Sequence, residues 1–225
     1  DGHSLYYIRS TAREKTALMR ASTADGTTGE LCTVHDPGSI SVTNDRVFLS
    51  DPEYHRSFSL YNDVFAFDGK KYGRITKALR GESVDISRDG SVSVFVRHDR
   101  GRYSLVLSDG SFTAAEEIVT RGDMRIAHTR LSPDARKIVF TMKDRSGRSD
   151  LALYNLDLRA FTRLTNDPHN DICPTWHPDG RRVVFSSDRS GVYNLYEMDI
   201  ARGASVRLTN LTGGAFHPDI SPDGS

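Results

Sequence analysis

The sequence predicts an all-β fold, a β-propeller of four-stranded antiparallel blades with five repeat units present. Two observations carry that prediction. An Asp in a turn recurs at 1, 45, 89, 134, 179 and 223, a period of 44 or 45 residues. The turn reads Ser221-Pro222-Asp223-Gly224 in full, with His177-Pro178-Asp179-Gly180, Ser132-Pro133-Asp134-Ala135 and Ser87-Arg88-Asp89-Gly90 as one-residue variants. Each period also holds short β-branched and aromatic runs separated by turn residues, and four strands per about 40–45 residues is the size of a propeller blade.

Taken in order, the first repeat supplies strands at 5–8 and 16–20, and the second at 63–67 and 73–76. The third follows at 91–95 and 102–107, and the fourth at 137–140, 150–154 and 162–166. The fifth is the clearest, with strands at 182–186, 193–199 and 205–209 around the turn Asp188-Arg189-Ser190-Gly191. The turn chemistry has a mechanism. Pro presets φ, Asp hydrogen-bonds its own backbone, and Gly supplies φ > 0 before the next strand. Ala135 stands where that Gly is expected, at a cost on the order of 1 kcal/mol if the position is left-handed. Asp45-Arg46 departs further and lacks two residues after it, so the second blade is expected to be the least regular.

One domain spans 1–225, with no linker or low-complexity break. A last inner strand is expected at 216–220. Either it completes the first blade of a closed five-bladed ring, or both ends are cuts through a longer ring or chain. The composition excludes several classes. Thirty basic residues balance thirty acidic ones, which argues against a strongly basic nucleic-acid binder. No run approaches the ~20 apolar residues of a membrane helix, and no signal-like segment opens the chain. Cys32 and Cys173 lie in different repeats and make no disulfide framework. Nucleophile-elbow, zincin, phosphate-loop and paired C-x-x-C motifs are all missing from the sequence.

Arg163-Leu164-Thr165-Asn166, Asp171-Ile172-Cys173-Pro174-Thr175-Trp176, the 177–180 turn, Asp188-Arg189-Ser190-Gly191 and Leu195-Tyr196-Glu197-Met198-Asp199 together resemble the TolB-type, WD40-like propeller repeat. Two repeats match that pattern strongly, one moderately and the first two weakly. The Gly-His and Trp-Asp signatures of true WD40 repeats are absent from the sequence. The resemblance implies a bacterial, periplasmic or exported, non-enzymatic scaffold that binds a protein or peptide through its loop face or channel mouth. It also implies an alternative, the propeller portion of an enzyme. That would be either the gating domain of a serine peptidase or an oligogalacturonate-lyase-like channel metal site.

Four residues before the turn, successive repeats carry His128, Cys173 and His217, preceded by Ser39 and Ser83. Imidazole and thiolate suit a divalent metal such as Zn²⁺, and in the lyases a metal-binding His stands at the place that His217-Pro218 resembles. The plainer reading makes all three polar residues filling a narrow channel; no cofactor is then needed. The segment Asp51-Pro52-Glu53-Tyr54-His55-Arg56-Ser57-Phe58 replaces a short turn with an irregular loop. Its Tyr54, His55, Arg56 and Phe58 are the residue types favoured at interfaces, unless the loop folds back on its own blade. Asp99-Arg100, Asp144-Arg145 and Asp188-Arg189 are read as turn caps covering blade edges, Asp171 as a structural acceptor, and Trp176 as inter-blade core.

Overall fold

A computed structural model of the protein describes residues 2–12, 14–43, 46–55 and 59–224. Its described residues form nineteen strands and no helix. The first blade is a three-stranded sheet of β1 (Ser4–Thr11), β2 (Glu14–Ser22) and β3 (Thr28–Thr33). The second holds β4 (Ser39–Thr43), β5 (Arg46–His55), β6 (Ser59–Phe67) and β7 (Tyr72–Arg74). The third holds β8 (Gly81–Ile86), β9 (Val92–Asp99), β10 (Arg102–Asp109) and β11 (Ala115–Arg121). The fourth runs through β12 (Arg125–Leu131), β13 (Lys137–Lys143), β14 (Ser149–Asn155) and β15 (Ala160–Arg163). The fifth comprises β16 (Asp171–Trp176), β17 (Arg182–Ser187), β18 (Asn194–Asp199) and β19 (Ser205–Arg207). Every pairing is antiparallel between strands consecutive in the chain, and β4, β8, β12 and β16 abut one another in succession around the central channel.

The core lies between blades. Val94, Val96 and Leu105 of the third blade pack with Ile126, Ile138 and Phe140 of the fourth. On the second strand of each four-stranded blade one Phe recurs at the same place, Phe48, Phe95, Phe140 and Phe185, each at most 2% exposed. Burying one such ring stabilises by roughly 1.5–3 kcal/mol, so the series is a principal inter-blade adhesive. Trp176 is inter-blade core as expected. It packs on Val139 and Val183 and donates its indole N–H to Arg130 O across the blade boundary at 3.1 Å.

The turns behave as their chemistry dictates. Asp89 Oδ1 accepts from Ser87 Oγ and Ser91 N, and Asp134 Oδ1 accepts from Ser132 Oγ and Arg136 N. Ala135 is left-handed at φ +54°, where Gly90, Gly180 and Gly224 have +72°, +65° and +84°.

Four expectations need correction. The outer strands β15 and β19 stop at Arg163 and Arg207 because the following Leu-Thr peels away and the Thr hydroxyl replaces a ladder carbonyl. Thr165 Oγ1 accepts from Leu151 N and Thr209 Oγ1 from Leu195 N, both at 2.9 Å, and Thr76 does the same for Val64 N. The second blade is not the least regular. β4 and β5 pair without a register shift, whereas the inner strands β8, β12 and β16 each carry one. Residues 51–55 are not an irregular loop but the end of β5, paired with β6 as far as His55↔Ser59. Pro52 is tolerated there because β4 ends opposite Ser50, so its missing N–H costs no ladder bond. Finally, 216–220 forms no strand and adds nothing to β1. A Cβ on Gly2 would lie 3.8 Å from Pro222 Cδ, the relation that Gly180 has with Pro133 at 3.9 Å. The last turn is therefore the neighbour of the first, as one blade's turn is of the next, and is not merged with it.

Candidate functional site

The channel column is built on backbone strain. Ser83, His128, Cys173 and His217 all have left-handed φ, at +55°, +52°, +54° and +52°. Within the inner strands, the first three sit where the pairing register shifts, between Glu82 and Asp85, Ala127 and Arg130, and Ile172 and Thr175. A left-handed residue with a side chain is uncommon and costs on the order of 1 kcal/mol. Such a residue bends the strand and re-aims its side chain. The column is thus a set of bulges rather than ordinary strand positions. Ser39, the equivalent residue of β4, lies in unshifted pairing and is not left-handed.

At two positions of the column a serine hydroxyl accepts from the next blade. Val84 N donates to Ser39 Oγ at 2.9 Å, and His128 N donates to Ser83 Oγ at 3.0 Å. Cys173 Sγ lies 3.9 Å from His217 Nε2. His128 and His217 meet edge to face with ring centroids 5.7 Å apart, and His128 Nδ1 is 3.2 Å from Thr141 Oγ1. The structure therefore brings all three predicted residues together. Burial, then the neighbouring His217, Arg130 and Arg125, push His128 down to about 4. Burial pushes the Cys173 thiol up to about 11. At neutral pH the column is an uncharged imidazole beside a thiol, not a thiolate. Among the described residues no group of three His, Cys, Asp or Glu is disposed to hold a metal ion.

The β5–β6 hairpin places Tyr54 in solvent, 67% exposed, across from the exposed Leu60. Arg56 and Phe58 lie outside the described residues, and of the His55 side chain nothing is described. Behind the hairpin, Arg80 stacks on Tyr61 at 4.3 Å and pairs with Asp99. Asp144 caps its own turn through Ser146 N and Arg148 N. Arg189 instead reaches both oxygens of the buried Asp171 while lying over Phe185 and Tyr196. Of the three pairs read as turn caps, only Asp144 caps its own turn among the described residues; Asp99 pairs with Arg80, and Asp188 accepts from Asn170 N and Nδ2.

Sequence reasoning passed over Arg130. It stands two residues before its turn, where the other repeats carry Ser41, Asp85, Thr175 and Asp219. Its charge bears on His128, Cys173, His217 and Asp85, groups from three blades and the C-terminal segment. The same register that exposed the column, read two residues further on, shows the one cation in that row.

Blades joined by consecutive antiparallel strands around a central channel define a β-propeller, here one whose inner strands are bent by left-handed bulges. The family model described as TolB beta propeller domain matches residues 51–225, and the chain belongs to that family. It is 35% identical over 134 residues to an uncharacterised protein of Agrobacterium fabrum strain C58, covering 55% of this chain and 45% of that protein. It is 40% identical over 62 residues to the Tol-Pal system protein TolB of Francisella tularensis subsp. tularensis, covering 28% of this chain and 14% of that one. The crystal structure of TolB from Acinetobacter baumannii superposes with a TM-score of 0.78 at 15% identity, over 96% of this chain and 53% of that chain. The matched stretches span less than half the length of these curated relatives. A TolB-like propeller supports a protein-interaction scaffold at that coarse level. No helix among the described residues is long and apolar enough to cross a membrane.

Proposed function

We propose that this chain is a non-enzymatic scaffold, periplasmic or exported, that binds a protein or peptide partner through its loop face or channel mouth. The observation that carries the reading is the β5–β6 hairpin of a TolB-family propeller, which projects Tyr54 and Leu60 into solvent next to the Arg80–Tyr61 stack. Tyr on a rigid support makes a good anchor because little rotamer entropy is lost on binding, and Arg80 is already held by Tyr61 and Asp99. The absence of catalytic motifs from the sequence supports a binding role. The test is affinity capture from a bacterial periplasmic extract, comparing the protein with a Tyr54→Ser, Leu60→Ser double variant. A partner enriched on the first and lost on the second supports the reading. Equal capture by both removes the hairpin from it.

The second reading, an enzyme propeller with a divalent metal in the channel, rests on Cys173 and His217 lying 3.9 Å apart. It requires the thiol to deprotonate and the His128 ring to turn from Thr141 to supply a third ligand. Metal analysis after Zn²⁺ loading decides it. Less than stoichiometric metal, unchanged by His217→Ala, removes the lyase-like form. The peptidase-gating form stands or falls on whether a G-x-S-x-G domain adjoins this propeller in the gene.

A further inference from the structure

On the turn side of the channel, opposite the loop face, lies a cavity of about 150 Å³. Ile86 and Arg88 of the third blade, Arg130 and Leu131 of the fourth, Trp176 of the fifth and Asp219 of the C-terminal segment contribute to its wall. Its walls are thus mixed, with apolar side chains and the hydroxyls of Ser87, Ser132 and Thr175 around two guanidinium groups and one carboxylate. Arg130 makes one weak hydrogen bond, from Nη1 to Thr129 O at 3.3 Å. Among the described residues neither Arg88 nor Arg130 forms an ion pair. A guanidinium carries five N–H donors in a fixed fork that matches a carboxylate. Most of that capacity is unspent here.

Asp85, the nearest carboxylate on the inner strands, accepts from Ser41 Oγ and Leu131 N, both at 2.7 Å, and does not line the cavity; its charge acts on Arg130 only from behind the wall. Asp219 accepts from Ile220 N at 3.0 Å and is not paired with either arginine. The residues that line the cavity therefore carry two positive charges against one negative, inside partly apolar walls where a charge-assisted hydrogen bond is stronger than in water. Its volume is below the roughly 300–1,000 Å³ of sites for drug-sized ligands. It suits a single side chain or chain terminus instead.

The geometry points to a site for one peptide carboxylate, an acidic side chain or a C-terminus, held by Arg130 with Arg88 at the rim. This site lies on the face opposite the proposed partner surface, and neither depends on the other. Trp176, the only Trp of the chain, lines it and hydrogen-bonds Arg130 O, so its emission is a built-in reporter.

The experiment is a fluorescence titration at constant ionic strength with N-acetylglutamate methylamide for a side-chain carboxylate and N-acetylalanine for a terminus. The neutral N-acetylglutamine methylamide and inorganic phosphate are run alongside. A saturable change with either carboxylate probe and none with the amide is expected, and the stronger probe identifies the source. Arg130→Gln is expected to weaken binding at least tenfold, about what losing one charge-assisted bond costs. Arg130→Lys should keep part of it, Asp219→Asn should strengthen it, and Arg145→Gln on the loop face should leave it unchanged. Circular dichroism melting identifies any variant that has failed to fold, and the Asp219→Asn gain tests the site without touching either arginine. No saturable change, an equal response to the amide, phosphate binding as tightly as the carboxylates, or full binding by folded Arg130→Gln would overturn the assignment.

Discussion

The backbone N–H of His128 donates a 3.0 Å hydrogen bond to the hydroxyl of Ser83, a residue forty-five positions earlier and one blade away. Thr129 donates its own hydroxyl to the Ser83 carbonyl beside it. Two left-handed bulges thereby lock adjacent inner strands at one height. Ser83→Ala would leave a buried N–H unpaired and is expected to destabilise the protein by about 1–3 kcal/mol, read as a lowered urea midpoint. Ser83→Cys, which keeps an acceptor of similar size without a β-branch in the left-handed position that Cys173 also occupies, should lose less. Equal losses would show that packing, not the hydrogen bond, matters there.

Ala135 holds the left-handed turn position that other repeats give to Gly. Ala135→Gly relieves a Cβ clash at the cost of added freedom in the unfolded chain. The net expectation is stabilisation by up to about 1 kcal/mol, seen as a raised Tm.

Gly110 approaches the turn of its own blade so closely that a Cβ would overlap Gly90 O, while its N–H bonds Ser91 O at 2.9 Å. Backbone meets backbone there, and no side chain can swing aside. Gly110→Ala is therefore expected to cost more than an ordinary surface substitution, about 2 kcal/mol or more, in equilibrium denaturation.

Asp63, on β6, is 1% exposed and gathers the chain leaving its blade. It accepts from Thr76 Oγ1, Ala78 N and Leu79 N, and pairs with Arg74. Asp63→Ala would leave a partly buried guanidinium and three donors unanswered, for a loss of about 3 kcal/mol. Measurement is again by denaturation, and Asp63→Asn should fall between the two.

Acid should weaken the channel. The folded state holds His128 at about 4, below its usual 6.5, because burial and the charges of His217, Arg130 and Arg125 disfavour the imidazolium. A depressed value means the unfolded chain takes the proton first. Stability from this group is fully present above pH ~6.5 and declines as pH falls towards 4, by about 1.4 kcal/mol per unit. His217, also lowered by burial and Arg130, adds to the decline. A stability profile from pH 7.5 to 4 should flatten in His128→Gln relative to the original protein. An unchanged slope would place the acid sensitivity elsewhere.

The Asp ladder made the blades legible because turn chemistry is local. A Pro, an Asx acceptor and a left-handed residue specify the same turn wherever they occur, so Ala135 could be recognised as left-handed before any coordinates. Trp176 as inter-blade core and Asp171 as a buried acceptor follow from the repeat in the same way. The His128–Cys173–His217 register was also visible, since residues one period apart in a ring of repeats share a height. What the period could not show is that these are bulges, because strand pattern carries no sign of φ. Nor could it show that β5 runs on to His55 as a hairpin, which depends on where β4 ends opposite it. The placement of 216–224 beside Gly2 and the convergence of Arg88, Arg130 and Asp219 on one cavity are long-range facts. Sequence alone determined the repeat, the turns and the inter-blade core. Only the closing of blades around a common axis decided which side chains meet, because those neighbours lie about a full period or more apart in the chain.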